Sequence, residues 1–73
     1  MNTTTINGTV VVEIARVDKT NITNRISLAR NLKLCEAFRA CSLHDIIEAI
    51  RCHERDGLIK SDDTDIILYH DAN

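Results

Sequence analysis

The apolar residues between Ser42 and Gly57 recur every three or four positions, which predicts an amphipathic helix. Its apolar stripe consists of Leu43, Ile46, Ile47 and Ile50. Ser42 is a favourable N-cap residue, and Asp45 three positions later fits the pattern of a capping box. Gly57 is suited to the left-handed conformation that ends many helices, so we expect the helix to stop there.

A β-hairpin is predicted after this helix. The runs 58–60 and 66–69 are rich in apolar residues, and the polar stretch 61–65 separates them. Short apolar runs on either side of turn-forming residues are typical of two paired strands. The C-terminal half of the chain is therefore expected to be a helix followed by a hairpin.

A second hairpin is predicted at the N-terminus. Asn7-Gly8 favours a type I′ turn and separates Thr3–Ile6 from Thr9–Val17, which is rich in β-branched residues. Strict alternation turns three residues of the second strand to one side: Val10, Val12 and Ile14. Val11 adds an apolar residue to the other side. This pattern fits burial on both faces, or a sheet edge that is open to a partner.

Helix is also predicted between the two hairpins. The periodic apolar residues are Ile26, Leu28, Ala29 and Leu32, then Leu34, Ala37, Phe38 and Cys41. We expect the helix to begin near Asn24, with a cap from one of three residues before it: Thr20, Asn21 or Thr23. The pattern does not decide whether 24–41 forms one helix or two helices with a break near Lys33.

The stretch 42–59 resembles the third helix and wing of a winged helix-turn-helix domain. Ser42 to Ile47 and Glu54 to Ile59 carry the resemblance. Together with the chain length of 73 residues and the elements predicted above, it favours a single α+β domain over residues 1–73, similar to a helix-turn-helix or winged-helix domain, with an N-terminal β-hairpin or strand, two to three helices and a C-terminal β-hairpin wing. Two features depart from the family. Cys41 stands where a glycine is common, and the early strand precedes all the helices.

Neither an enzyme nor a cofactor is expected. The chain has no Gly-rich phosphate loop, no His-Glu-x-x-His pair and no nucleophile elbow. Cys41-x-x-His44 is the best zinc pairing, but no Cys-x-x-Cys accompanies it, so the three cysteines are expected to be reduced thiols. The N-terminus lacks the basic and apolar regions of a secretory signal, which predicts a cytoplasmic protein.

Charge is distributed unevenly along the chain. Residues 16–39 carry six cations and two acids, whereas residues 40–73 carry three cations and eight acids. Five of these eight acids fall at the start of the predicted third helix or at the tip of the predicted wing, where they would repel DNA phosphates. A dipolar surface of this kind favours a protein partner over DNA.

In length, charge distribution and overall make-up the chain is similar to the small RNA-polymerase-binding transcription regulators of lytic Xanthomonas phages. This resemblance implies a protein that acts in the host cytoplasm. It would bind bacterial RNA polymerase by protein–protein contact, inhibit initiation and promote antitermination. One alternative is a DNA-binding winged-helix repressor or excisionase-like factor. Another is an antitoxin-like or assembly protein that dimerises through the N-terminal hairpin.

The expected partner surface combines a strand at a sheet edge with basic residues that follow it in sequence. Edge strands can accept an extended segment of another protein, and cations can receive its acidic groups. The candidate partner-binding residues are Val10, Val12, Ile14, Arg16, Lys19, Arg25, Arg30 and Lys33. The competing interpretation places the valines in the core and the cations on a solvated helix face.

Overall fold

Along the chain, one β-hairpin precedes two helices and a second β-hairpin follows them. A computed structural model describes residues 3–72. Its elements are β1 (Thr3–Ile6), β2 (Thr9–Asp18), α1 (Arg25–Leu32), α2 (Leu43–Asp56), β3 (Ile59–Ser61) and β4 (Asp65–Asp71). Short 3₁₀ turns lie at Lys19–Asn21 and Glu36–Phe38. The predicted α+β class and both predicted hairpins are confirmed.

The four strands form one antiparallel sheet in the order β1-β2-β4-β3. β2 pairs with β1 on one side and with β4 on the other, so it is an inner strand. The prediction that Val10, Val12 and Ile14 lie on an edge strand is therefore wrong. The N-terminal hairpin accounts for only one neighbour of β2, and the second neighbour comes from the opposite end of the chain.

A β-bulge between Glu13 and Ala15 interrupts the alternation in β2. The buried residues of the strand are Val11, Ala15 and Val17. The residues predicted to share its apolar face are more exposed: Val10, Val12 and Ile14. Val11 is fully buried and Val10 is 48% exposed, so the interpretation that places these valines in the core does not hold for Val10.

The core joins the sheet to both helices. Its members are Ala15, Val17, Leu28, Ala29, Leu32, Phe38, Ile46, Ile50 and Leu68. Ile46 and Ile50 are almost completely buried, whereas Leu43 and Ile47 are partly buried at the margin of the cluster. The stripe predicted for α2 is confirmed, with Ile46 and Ile50 as its two deepest residues.

The segment before α2 has less helix than the spacing predicts. α1 ends at Leu32, so the question that the sequence left open for residues 24–41 is answered by a break at Lys33. A single 3₁₀ turn then buries Phe38, while Leu34 is left 76% exposed. The described chain thus has two α-helices, and a 3₁₀ turn occupies the place of the middle helix of a three-helix unit. Among residues 3–72, no helix has the length and apolar character needed to cross a membrane.

Both ends of α2 follow local rules. The Ser42 hydroxyl accepts a hydrogen bond from the Asp45 N–H at 3.1 Å. At the other end Gly57 has a φ of 72°. The Gly57 N–H donates to the Glu54 carbonyl at 3.3 Å and the Leu58 N–H donates to the His53 carbonyl at 2.8 Å. This pair of bonds is a Schellman motif, which turns the chain from the helix into β3.

We expect Gly57→Ala to lower the free energy of unfolding by about 1–2 kcal/mol, the cost of a left-handed residue with a Cβ. An added Cβ would meet no atom closer than 4.0 Å, so the cost comes from the backbone and not from a clash. Gly57→Asn should cost less, because asparagine tolerates this conformation better. Urea unfolding of both variants tests whether Gly57 has the left-handed conformation. Equal stability of wild type and Gly57→Ala would contradict it.

Candidate protein-interaction surface

α1 is oriented by a cap that the sequence analysis did not select. Asn24 is its N-cap, and the Asn24 side-chain oxygen accepts from the Ser27 N–H at 2.8 Å. The Ser27 hydroxyl in turn accepts from the Asn24 N–H at 3.1 Å, which completes a reciprocal capping box. This start fixes which side chains of the helix turn towards the sheet.

The buried side of α1 consists of Leu28, Ala29 and Leu32. On the exposed side lie Ile26, which is 49% exposed, and Arg30 one turn later. Leu34 follows after a further four residues and lies just past the end of the helix. Because Lys33 still has helical dihedral angles, Leu34 continues the line of Ile26 and Arg30. We call Ile26, Arg30 and Leu34 the α1 face. It presents two exposed apolar side chains with a cation between them.

Four of the five predicted basic contact residues already have partners within the chain. Arg25 pairs with Glu54 at 2.7 Å, and the Lys33 ammonium donates to the Cys41 carbonyl at 2.6 Å. These contacts hold both side chains in place, and the bond to Glu54 raises the pKa of Arg25. A partner that uses either cation must compete with an existing contact.

Arg16 and Lys19 are tied to the C-terminal hairpin. The Arg16 guanidinium lies 2.8 Å from Glu13 and 2.9 Å from Asp65. The Lys19 ammonium donates to the Asp62 carbonyl at 2.5 Å. These two cations therefore belong to the hairpin end of the molecule, and the structure does not join them to the α1 face.

Arg30 is the predicted cation without such a contact. Its side chain makes no hydrogen bond or ion pair with any residue of 3–72. A guanidinium beside exposed apolar side chains can form bidentate bonds to a carboxylate while its stem packs against a partner. Among the predicted contact residues, Arg30 therefore remains the best placed for an intermolecular contact.

The tip of the C-terminal hairpin is organised by a carboxylate. The Asp62 side chain accepts from the Thr64 N–H at 2.9 Å and from the Asp65 N–H at 2.7 Å. These two backbone donors, more than the nearby Arg16, hold the pKa of Asp62 below its usual value. Arg16 and Lys19 offset only part of the negative charge, because Asp63 adds a carboxylate without a partner among the described residues.

The lowered pKa of Asp62 makes the stability of this hairpin depend on pH. The folded protein favours the charged carboxylate, so its contribution is present above the unfolded pKa and is lost as the pH falls through the folded pKa. We expect the unfolding free energy to decrease as the pH falls through and below the ordinary titration range of an aspartate, and Asp62→Asn to show a weaker decrease. Thermal melts across this range test the prediction, and an unchanged pH dependence in the variant would contradict it.

The α1 face includes two residues, Ile26 and Leu34, that the sequence analysis grouped with the periodic apolar residues of the helical segment. Ile26 and Leu28 are two positions apart, which corresponds to about 200° around a helix, so they cannot share a face. That signal was available in the sequence. The exposure of Leu34 was not, because it depends on the helix ending at Leu32.

The zinc pairing weighed in the sequence analysis, Cys41 with His44, is not part of a larger ligand group among residues 3–72. Within the part of the chain that the structure describes, no three His, Cys, Asp or Glu side chains are grouped so that they could hold a metal ion. Cys35, Cys41 and Cys52 are all free thiols. No protein family, curated protein or solved structure matches this chain.

Proposed function

We propose that this protein regulates transcription by binding bacterial RNA polymerase through protein–protein contact, inhibiting initiation and promoting antitermination. The observation that supports protein contact is the α1 face, with an unpaired arginine between two exposed apolar side chains. Interface centres combine apolar area with arginine in this way. The choice of RNA polymerase rests on the resemblance in length and charge distribution to the phage regulators.

We also propose that α2 and the C-terminal hairpin correspond to the recognition helix and wing of a winged-helix domain. Their order in the chain and the glycine stop between them support this correspondence. In this protein they would serve as a scaffold and not as a DNA reader. The exposed start of α2 carries His44, Asp45 and Glu48, and the tip of the hairpin is negative as well. Duplex phosphates would face carboxylates on both elements.

The proposal is tested by comparing two ligands under the same conditions, purified core RNA polymerase and a randomised pool of duplex DNA. We expect binding to the polymerase that weakens as salt rises, and no sequence-specific selection from the DNA pool at physiological salt. Recovery of a defined DNA site with submicromolar, salt-sensitive affinity would contradict the proposal and favour the winged-helix repressor.

The dimerisation alternative requires a separate measurement. If the N-terminal hairpin forms a dimer, sedimentation equilibrium should show a mass that doubles with concentration in the absence of any partner. We expect a monomer, because β2 is already paired on both sides and only the short β1 leaves this hairpin with a free edge. A stable dimer that dissociates when residues of β1 are substituted would favour the antitoxin-like or assembly protein.

A further inference from the structure

We propose that the free edge of β3 is a docking site for an extended segment of a partner protein, apolar at alternate positions and flanked by an acidic residue. The segment would add to the sheet as a further strand. This proposal does not depend on RNA polymerase being the partner. It rests on the hydrogen-bond pattern of β3, on the groove beside that strand and on one unpaired charge.

The hydrogen-bond pattern leaves the outer side of β3 open. The Tyr69 N–H donates to the Leu58 carbonyl at 2.8 Å, and the Asp62 N–H donates to the Asp65 carbonyl at 3.0 Å. Bonded pairs alternate in an antiparallel ladder, so Lys60, midway between these positions, is the residue that bonds to β4. The N–H and C=O groups of its neighbours Ile59 and Ser61 therefore point away from β4, towards the free edge.

A groove of about 560 Å³ lies beside this edge, and all three residues of β3 line it. α1 and the loop before it contribute Ile22 and Leu28, and Ile50 of α2 lies in the same lining. Leu28 and Ile50 are almost completely buried, so the partly exposed Ile22, Ile59 and Ile66 supply the apolar surface next to the outward backbone donors and acceptors. An extended segment can use both at once, because alternate side chains enter the groove while its backbone pairs with β3.

The charges around the groove favour an acidic residue on the segment. Arg25 and Glu54 both line the groove, and they form an ion pair with each other at 2.7 Å. Lys60 also lines it, and its ammonium makes no contact with any side chain of the described residues. A lysine on an edge strand can also prevent aggregation by disfavouring the addition of another strand. If Lys60 had that role, no peptide would bind to β3.

The test uses the full chain and a displayed library of random eight-residue peptides, followed by synthesis of the selected sequences. We expect the selected peptides to alternate apolar residues and to carry Asp or Glu. In NMR titrations they should shift the amide signals of Ile59 and Ser61 most strongly. A library that yields no binder, or binders that shift other residues, would overturn the proposal.

A matched pair of variants separates backbone pairing from side-chain contact. Ser61→Pro removes an outward N–H without removing a bond to β4, and proline is tolerated at such edge positions. We expect Ser61→Pro to weaken peptide binding by about tenfold or more and Ser61→Ala to change it by less than about twofold. Lys60→Glu should weaken binding of an acidic peptide. Equal binding by the proline and alanine variants would contradict strand addition.

A change in the peptide keeps the test valid if Ser61→Pro does not fold. N-methylation of one peptide backbone amide at a time should remove binding at alternate positions only, because alternate amides face β3. Loss at every position or at none would contradict the proposal. Self-association of the wild-type chain that Ser61→Pro abolishes would assign the edge to a second copy and overturn it as well.

Discussion

Ile50→Ala is expected to lower the free energy of unfolding by about 2–5 kcal/mol. Ile50 is 1% exposed and belongs to the cluster that joins both helices to the sheet, so its truncation leaves a cavity that the small core cannot close. Domains of ordinary stability unfold at a cost of only about 5–15 kcal/mol, and a chain of this size lies near the lower end. Much of the variant population should therefore unfold on mild heating.

Two further variants serve as controls for this prediction. Ile47→Ala removes the same atoms from a half-buried position and should cost clearly less than Ile50→Ala. Leu34→Ala changes a side chain that is 76% exposed, so we expect a change within about 0.5 kcal/mol. Urea and thermal unfolding followed by circular dichroism give the three values. A melting temperature for Ile50→Ala near that of wild type would show that the core has been placed wrongly.

The double variant Arg30→Glu/Leu34→Ser is expected to weaken binding to RNA polymerase by about tenfold or more, since interface arginines and buried apolar anchors carry most of the binding energy. Both residues are exposed, and Arg30 has no side-chain contact to lose within the described chain. The fold should remain intact. Arg25→Glu is a poorer choice, because it would place a second carboxylate beside Glu54.

Asp63→Lys is the matched control for the double variant. Asp63 lies at the hairpin tip, is exposed and has no partner among the described residues, so its charge can be reversed without breaking an ion pair. We expect this variant to bind the polymerase at least as tightly as wild type. If the double variant binds normally and Asp63→Lys loses binding, the interface lies on the C-terminal hairpin instead of the α1 face.

The parts of the fold that could be predicted are those decided by neighbouring residues. Asn7 and Gly8 both have positive φ angles, 51° and 81°, as a type I′ turn requires. Gly57 ends α2 in the left-handed conformation for the same kind of local reason. Backbone preferences of this strength act within a few residues, so a single sequence is enough to detect them.

Pairing between distant segments could not be predicted in this way. β2 becomes an inner strand because β4, almost at the C-terminus, pairs with it. The same pairing contains the bulge near Ala15 and brings Arg16 to Asp65, which is 49 positions away. The sequence shows that β2 is apolar and that Arg16 and Lys19 follow one another closely, but the partners of these two cations are fixed only when the two hairpins meet.

The candidate surface was predicted in part for a related reason. The basic character of α1 is visible in the sequence, and Arg30 was among the expected contact residues. Which of the cations remain available depends on Glu54, Asp65 and other distant groups. The exposed apolar residues of the α1 face depend in turn on where the helix begins and ends. Tertiary structure thus reduces a broad set of candidates to a smaller surface.

The most direct test of protein contact through the α1 face is an NMR titration of the isotope-labelled chain with unlabelled RNA polymerase. The amide and side-chain signals that lose intensity first identify the residues in contact. We predict that Ile26, Arg30 and Leu34 are the first to be attenuated, and that duplex DNA of equal concentration has no such effect. Attenuation centred on Asp62, Asp63 and Asp65, or a response to DNA centred on α2, would contradict the account.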